Sequence, residues 1–110
     1  MTATVGKIIV VDDDLTNRVL LANILGDQGF EVDVAENGMQ GLELLKAGSY
    51  DVVLLDLLMP KMNGYQVLEA MKKDSSLESI PVIVISTDDD IDSIIRCIEL
   101  GATDHLPKPF

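Results

Sequence analysis

Cysteine is almost missing from this chain: Cys97 is the only one in 110 residues. An internal disulfide framework is therefore excluded, and a reducing compartment fits. Tryptophan is absent, so the protein carries no intrinsic indole reporter. Basic residues are few, 8 against 19 acidic ones, for a formal net charge of -11; they are scattered, and such a surface repels nucleic acid and anionic lipid at long range. Direct nucleic-acid or membrane binding is not expected, and a DNA-binding role would have to sit on another domain. No uninterrupted apolar run approaches the roughly 20 residues that span a bilayer, and the start, Met1-Thr2-Ala3-Thr4-Val5-Gly6-Lys7, lacks a signal-peptide core. The expectation is a soluble cytoplasmic protein. No segment is rich in Pro, Ser or Gln, which sets disorder aside.

What is present is one domain's length of chain, 47% apolar and 25% charged, enough to bury a single core. Lys7 to Val11 is a β-branched run that stops at three aspartates, as a buried parallel strand ending at a polar mouth would. Leu15 to Leu25 places Leu15, Val19, Ala22 and Leu25 at helical spacing, with Gly26 and Gly29 as the stop. Phe30 to Val34 alternates with period two and reads as an edge strand. Asn37-Gly38 breaks it, and Met39 to Ala47 is a second helix closed by Gly48. Asp51 to Leu55, apolar on both faces and followed by Asp56, reads as a central strand. Tyr65 to Lys73 makes a third helix after the turn-rich Met59-Pro60-Lys61-Met62-Asn63-Gly64. Pro81 to Ile85 is a fourth strand ending at Ser86-Thr87. Asp88, Asp89 and Asp90 suit the first turn of a fourth helix, whose expected buried stripe is Ile91, Ile94, Ile95, Ile98 and Leu100. Gly101 ends it, and Thr103 to Leu106 is a short fifth strand.

Five strands alternating with helices predict a doubly wound α/β fold with a parallel sheet. In such sheets ligands gather at the carboxyl ends of the strands, beside the point where strand order reverses. That rim would collect Asp12-Asp13, Asp56, Ser86 and Lys108. Three neighbouring carboxylates repel one another unless a cation offsets their charge. With oxygen donors only, a hard ion is favoured, and Mg2+ with several waters fits better than zinc or a calcium cage. The plainer reading of Asp12-Asp13-Asp14 is a helix cap with solvated neighbours, and Asp14 reads as that cap. For Asp56 the plain reading is weaker, because a carboxylate directly after a doubly buried strand is costly without a purpose. A metal beside a carboxylate and a lysine can bind a phosphoryl group, and a carboxylate can itself accept one as an aspartyl phosphate. Asp56 is the candidate nucleophile.

Val10-Val11-Asp12-Asp13-Asp14, Leu55-Asp56-Leu57-Leu58-Met59-Pro60 with Asn63-Gly64, Val84-Ile85-Ser86 and Leu106-Pro107-Lys108-Pro109-Phe110 together resemble the receiver domain of two-component response regulators, over essentially the whole chain. The resemblance implies a flavodoxin-like, CheY-like sheet of order 2-1-3-4-5. It implies Asp56 as phosphoacceptor and Mg2+ held by Asp12, Asp13, Asp56 and the carbonyl of Leu58, with Asp12 acting through water. It also implies Ser86 and Lys108 as partners of the phosphoryl group, and a cis bond between Lys108 and Pro109. A histidine kinase or phosphotransfer protein would be the donor, and an output domain or partner protein the target. The family's switch couples Ser86 to an aromatic residue on the fifth strand. Here that position is His105, for which two readings stand: an inward-packing switch residue with pH sensitivity, or a surface histidine. Asp88 and Leu58 lie where the family tunes hydrolysis.

The family's fifth helix would follow Phe110. The expectation is therefore a receiver domain over 1-110, C-terminally truncated before helix 5, with an apolar patch on one sheet face. A truncated chain, a helix continuing into another domain, or a homodimer covering the face in trans would each account for it. Three rival functions are weaker. An aspartyl-phosphate hydrolase needs a second acid where Leu58 stands, and a flavin module needs an uncharged loop where Asp12-Asp13-Asp14 stand. A degenerate receiver acting as a phosphorylation-independent interaction domain would not need all five key positions filled. Cys97, Met59, Met62 and Met71 read as packing residues, and Lys72-Lys73 as a solvated helix end.

Overall fold

The computed structural model describes residues 6–57, 59, 62–86 and 91–107. Its elements run β1 (Lys7–Val11), α1 (Leu15–Asp27), β2 (Glu31–Ala35), α2 (Gly38–Ala47), β3 (Val52–Asp56), α3 (Gly64–Lys73), β4 (Val82–Ser86), α4 (Ile91–Glu99) and β5 (Asp104–Pro107). All strand pairs are parallel, and the sheet order is β2-β1-β3-β4-β5. Strand order reverses between β1 and β3, since the chain first adds β2 on one side of β1 and then returns to its other side. That is where an open α/β sheet forms its crevice.

Alternation along the strands divides the core in two. Ile9, Val11, Val53, Leu55, Val82 and Val84 face α2 and α3 with Leu42, Leu45, Leu68 and Met71. Ile8, Val10, Leu54 and Ile85 face the other way, with Leu21 of α1. Each fully buried aliphatic side chain contributes roughly 1.5–3 kcal/mol. The strands hydrogen-bond on both sides except at the edges, where β2 has the exposed residues Glu31 and Val34.

Local chemistry sets the helix ends. Asp14 caps α1, accepting from the amides of Thr16 at 2.8 Å and Asn17 at 3.4 Å. Asn37 caps α2 through the Gln40 amide at 2.9 Å. At α3, Asn63 and Gln66 form a reciprocal capping box. The left-handed residues Gly29 and Gly101, at φ 96° and 104°, follow α1 and α4. Gly26 does not stop α1, which runs on to Asp27.

Two expected stripes are corrected. In α1, Leu15 is 64% and Val19 49% exposed, and the buried residue is Leu21. Leu20 and Ile24 are apolar and exposed as well, so the helix is apolar around most of its girth and its sequence does not mark one inner face. In α4, Ile95 and Ile98 are exposed, while Cys97 is fully buried. Tyr65 of α3 lies under Arg96 of α4, 4.1 Å from guanidinium carbon to ring centre, and Lys72 donates to the carbonyl oxygen of Glu99 at 3.3 Å. Both polar contacts tie α4 to α3.

Candidate functional site

The carboxyl ends of the strands bring the expected acids together. Val11 of β1 pairs with Leu55 of β3, so one step further along each strand stand Asp12 and Asp56. One carboxylate oxygen from each of Asp12, Asp13 and Asp56 lies within 4.8 Å of the others. Asp12 is 0% and Asp56 4% exposed, whereas Asp13 opens to solvent. Like charges about 5 Å apart repel by about 3 kcal/mol at an effective dielectric near 20. The fold therefore holds together acids that would separate unless something required them close.

Asp12 is anchored from both its side chain and its backbone. Its amide donates to Ala35 O at 3.0 Å, its Oδ1 accepts from the Asp14 amide at 2.8 Å, and its Oδ2 accepts from Asn17 Nδ2 at 3.4 Å. Arg18 Nη1 donates to its carbonyl oxygen at 2.7 Å. The amino end of α1, with its positive dipole, sits beside the cluster. Asn17 and Arg18 escaped the reading of the sequence. The signal available for them was their place in the first turn after the acids.

Asp56 is held differently. The Gly64 amide donates to Leu57 O at 2.9 Å. A Cβ at Gly64 would collide with the Asp56 carbonyl oxygen and lie 2.8 Å from Leu57 Cα. Only glycine lets α3 begin so close behind Asp56.

Ser86, 1% exposed, ends β4 next along the same rim, one residue beyond the Asp56–Ile85 pair. It pairs with Pro107 of β5. Lys108, which follows Pro107, lies outside the described residues, as do Leu58, Asp88 and the Lys108-Pro109 bond. His105 pairs with Val84 and so shares the sheet face of Val84 and Ser86. It is partly buried, and its Nε2 is buried with no hydrogen-bond partner among the described residues.

The donor set fits a hard divalent cation. All three groups are carboxylates, two of them buried, with no nitrogen or sulfur donor among them. Among the described residues, no helix is long and apolar enough to cross a membrane.

Comparison with known proteins agrees with this geometry. The family described as Response regulator receiver domain matches residues 8–110. The transcriptional regulatory protein CpxR homolog of Haemophilus influenzae is 43% identical over 105 residues, covering 94% of this chain and 44% of that protein. The chain thus spans less than half the length of that relative. The chemotaxis protein CheY4 of Vibrio cholerae superposes with a TM-score of 0.92 at 30% identity, over 98% of this chain and 89% of that one. The Mn2+-bound form of response regulator Rcp1 superposes with a TM-score of 0.85 at 28% identity, over 94% and 81%. On its fold, its acid cluster and these matches, the chain belongs to the response regulator receiver domain family.

Proposed function

We propose that this receiver domain accepts a phosphoryl group on Asp56 from a histidine kinase or phosphotransfer protein, in a Mg2+-dependent reaction, and that the modified state controls an output domain or partner protein in the cytoplasm. The observation that carries the reading is the buried Asp56 at the end of β3, within 4.8 Å of Asp12 and Asp13. Phosphorylation switching is the general function of the family to which the chain belongs.

In the transfer, an Asp56 carboxylate oxygen forms a bond to phosphorus as the bond from phosphorus to the donor's imidazole nitrogen breaks. The product is an acyl phosphate, and the donor leaves as a neutral imidazole once it takes a proton. Asp12, Asp13, Asp56 and the Leu58 carbonyl would hold the ion, which when bound offsets charge on the phosphoryl oxygens. The Mn2+-bound Rcp1 supports a divalent occupant of this class. The Ser86 hydroxyl donates to a phosphoryl oxygen and the Lys108 ammonium pairs with another. Drawing Ser86 toward the phosphoryl group frees space for His105, on the same face of the sheet, to pack inward. The equilibrium of the α4 and β5 face then shifts. The domain is a phosphoacceptor that assists its own modification and hydrolysis, not an enzyme with turnover.

The test is intact-mass analysis after incubation with Mg2+ and acetyl phosphate, in which acetate is the leaving group. Wild type is expected to gain one phosphoryl group, and Asp56→Asn none. A folded wild type that gains nothing, or equal gain in both, would overturn the proposal.

A further inference from the structure

Helix α1 carries one basic residue, Arg18, and helix chemistry does not explain where it stands. The positive end of a helix dipole disfavours a cation. Arg18 nevertheless closes the first turn of α1, while the last turn holds no basic residue. The carboxylates of Asp12, Asp13 and Asp56 gather at the same end of the sheet, and Arg18 forms an ion pair with none of them among the described residues. Its half-buried side chain reaches back instead to main chain, with Nη1 donating to the Asp12 carbonyl oxygen at 2.7 Å.

That oxygen belongs to the peptide joining Asp12 to Asp13, and the two acids are anchored unequally. Asp12 accepts through Oδ1 from the Asp14 amide at 2.8 Å and through Oδ2 from Asn17 Nδ2 at 3.4 Å. The Asp13 side chain is exposed and makes no hydrogen bond or ion pair among the described residues. One of its oxygens still comes within 4.8 Å of the other two acids. Where that carboxylate reaches is therefore set by its own backbone, and Arg18 grips the peptide leading into it. A charged donor holds a carbonyl more strongly than a neutral one does. The grip also has a firm base: the Arg18 amide donates to Asp14 O at 3.0 Å, and the Asp14 side chain caps the same turn through Thr16 and Asn17.

We propose that Arg18 is a positioning residue for the phosphoacceptor site: by holding the Asp12 carbonyl it fixes the peptide plane between Asp12 and Asp13, and so keeps the Asp13 carboxylate within reach of the ion. This rests on the reading of Asp12, Asp13 and Asp56 as a divalent site. Groups that orient a metal ligand from behind change affinity about 10–100-fold when removed. Losing a nearby cation would by charge alone tighten the hold on a divalent ion, so weaker binding is the mark of position, not of charge.

The experiment compares wild type, Arg18→Met and Lys73→Met. Methionine keeps an apolar stem and removes the donor. Lys73→Met removes one positive charge at the far end of α3, where Lys73 meets Glu69 at 3.3 Å. Mn2+ affinity is read from the free-ion signal in electron paramagnetic resonance, and backbone order in the ion-free proteins from nitrogen relaxation of the amides. Arg18→Met is expected to bind Mn2+ about 10-fold more weakly. Its Asp13 amide order parameter should fall from about 0.85 to below about 0.6, while Thr16 and Asn17, held by the Asp14 cap, stay rigid. Lys73→Met should match wild type in both measurements. Wild-type or tighter binding in Arg18→Met, an equal loss in Lys73→Met, or loosening at Thr16 as great as at Asp13 would overturn the inference. The last result would make Arg18 a prop of the helix start alone. Should Arg18→Met not fold, all three proteins are compared in trimethylamine oxide, which favours the folded state, and the same results decide. Wild type that binds no divalent ion would remove the site reading and this inference with it. Wild type that binds while Arg18→Met matches it removes this inference alone.

Discussion

Single side chains govern the rim. Asp12→Asn keeps the shape and removes a charge, so Mn2+ affinity measured by calorimetry should fall at least as far as for a lost outer partner, roughly 10–100-fold. Arg18→Ala removes a 2.7 Å charge-assisted bond to the Asp12 carbonyl and should cost about 1–2 kcal/mol in urea unfolding. Away from the rim, Tyr50 donates its hydroxyl to Asp33 Oδ2 at 2.7 Å, and Lys7 Nζ lies 3.6 Å from the same oxygen. Burial first, and then the bond to Asp33, push the Tyr50 phenol up from 10.0 to about 12. A raised phenol stabilises the fold fully below pH 10, where tyrosine is neutral in both states. That contribution fades as pH rises through the window from 10 to about 12. Tyr50→Phe should therefore be less stable than wild type at neutral pH, and the gap should narrow across that window in denaturant melts at stepped pH. A constant gap would contradict the assignment. The convergence of Asp12, Asp13 and Asp56 was legible because each stands at or just past the carboxyl end of an apolar run. Arg18 and Gly64 were not, because the bond from Arg18 to the Asp12 carbonyl and the close approach of Gly64 to Asp56 form only once the chain has folded.

At the scale of elements, strand identity was legible and the inner faces of α1 and α4 were not. β1, β3 and β4 declared themselves by continuous apolar runs and β2 by its alternation; β1 has the expected bounds, and the other strands are shifted by one residue. The stripe of α1 was misread because Val19, Leu20, Leu21, Ala22, Ile24 and Leu25 are all apolar, so hydrophobic phase selects no face and the sheet decides. In α4 the apolar phase is clear, yet Ile95 and Ile98 of the expected stripe are exposed and Cys97 is the fully buried residue. The consequence is measurable: Ile98→Gln should shift the stability of the isolated chain by no more than about 0.5 kcal/mol, while Leu68→Ala, in the core against the sheet, should cost about 2–5 kcal/mol. Urea midpoints at unchanged slope would separate the two.

The whole molecule is one compact unit, since its Cα radius of gyration of 13.1 Å equals what about 110 residues in a single domain should give. Its net charge of -11 argues that this chain by itself does not hold DNA, whatever its longer relatives do. Fluorescence anisotropy with a labelled duplex should show no binding even at low salt. Closing the acid cluster around a cation couples the rim to global stability. An ion that binds only the folded state adds about 2.7 kcal/mol at a concentration 100 times its dissociation constant, so Mg2+ should raise the thermal midpoint and EDTA should return it. Asp13→Asn should blunt that rise without lowering the metal-free midpoint, since Asp13 is exposed and removing one of three crowded charges relieves repulsion.

The most direct measurement is the site of modification. Wild type incubated with Mg2+ and acetyl phosphate, then mapped by peptide mass spectrometry under conditions that preserve acyl phosphates, should carry its phosphoryl group on Asp56, with no label when EDTA replaces Mg2+. A label on any other residue, or one indifferent to EDTA, would contradict the assignment of Asp56 as the phosphoacceptor in a divalent-ion site.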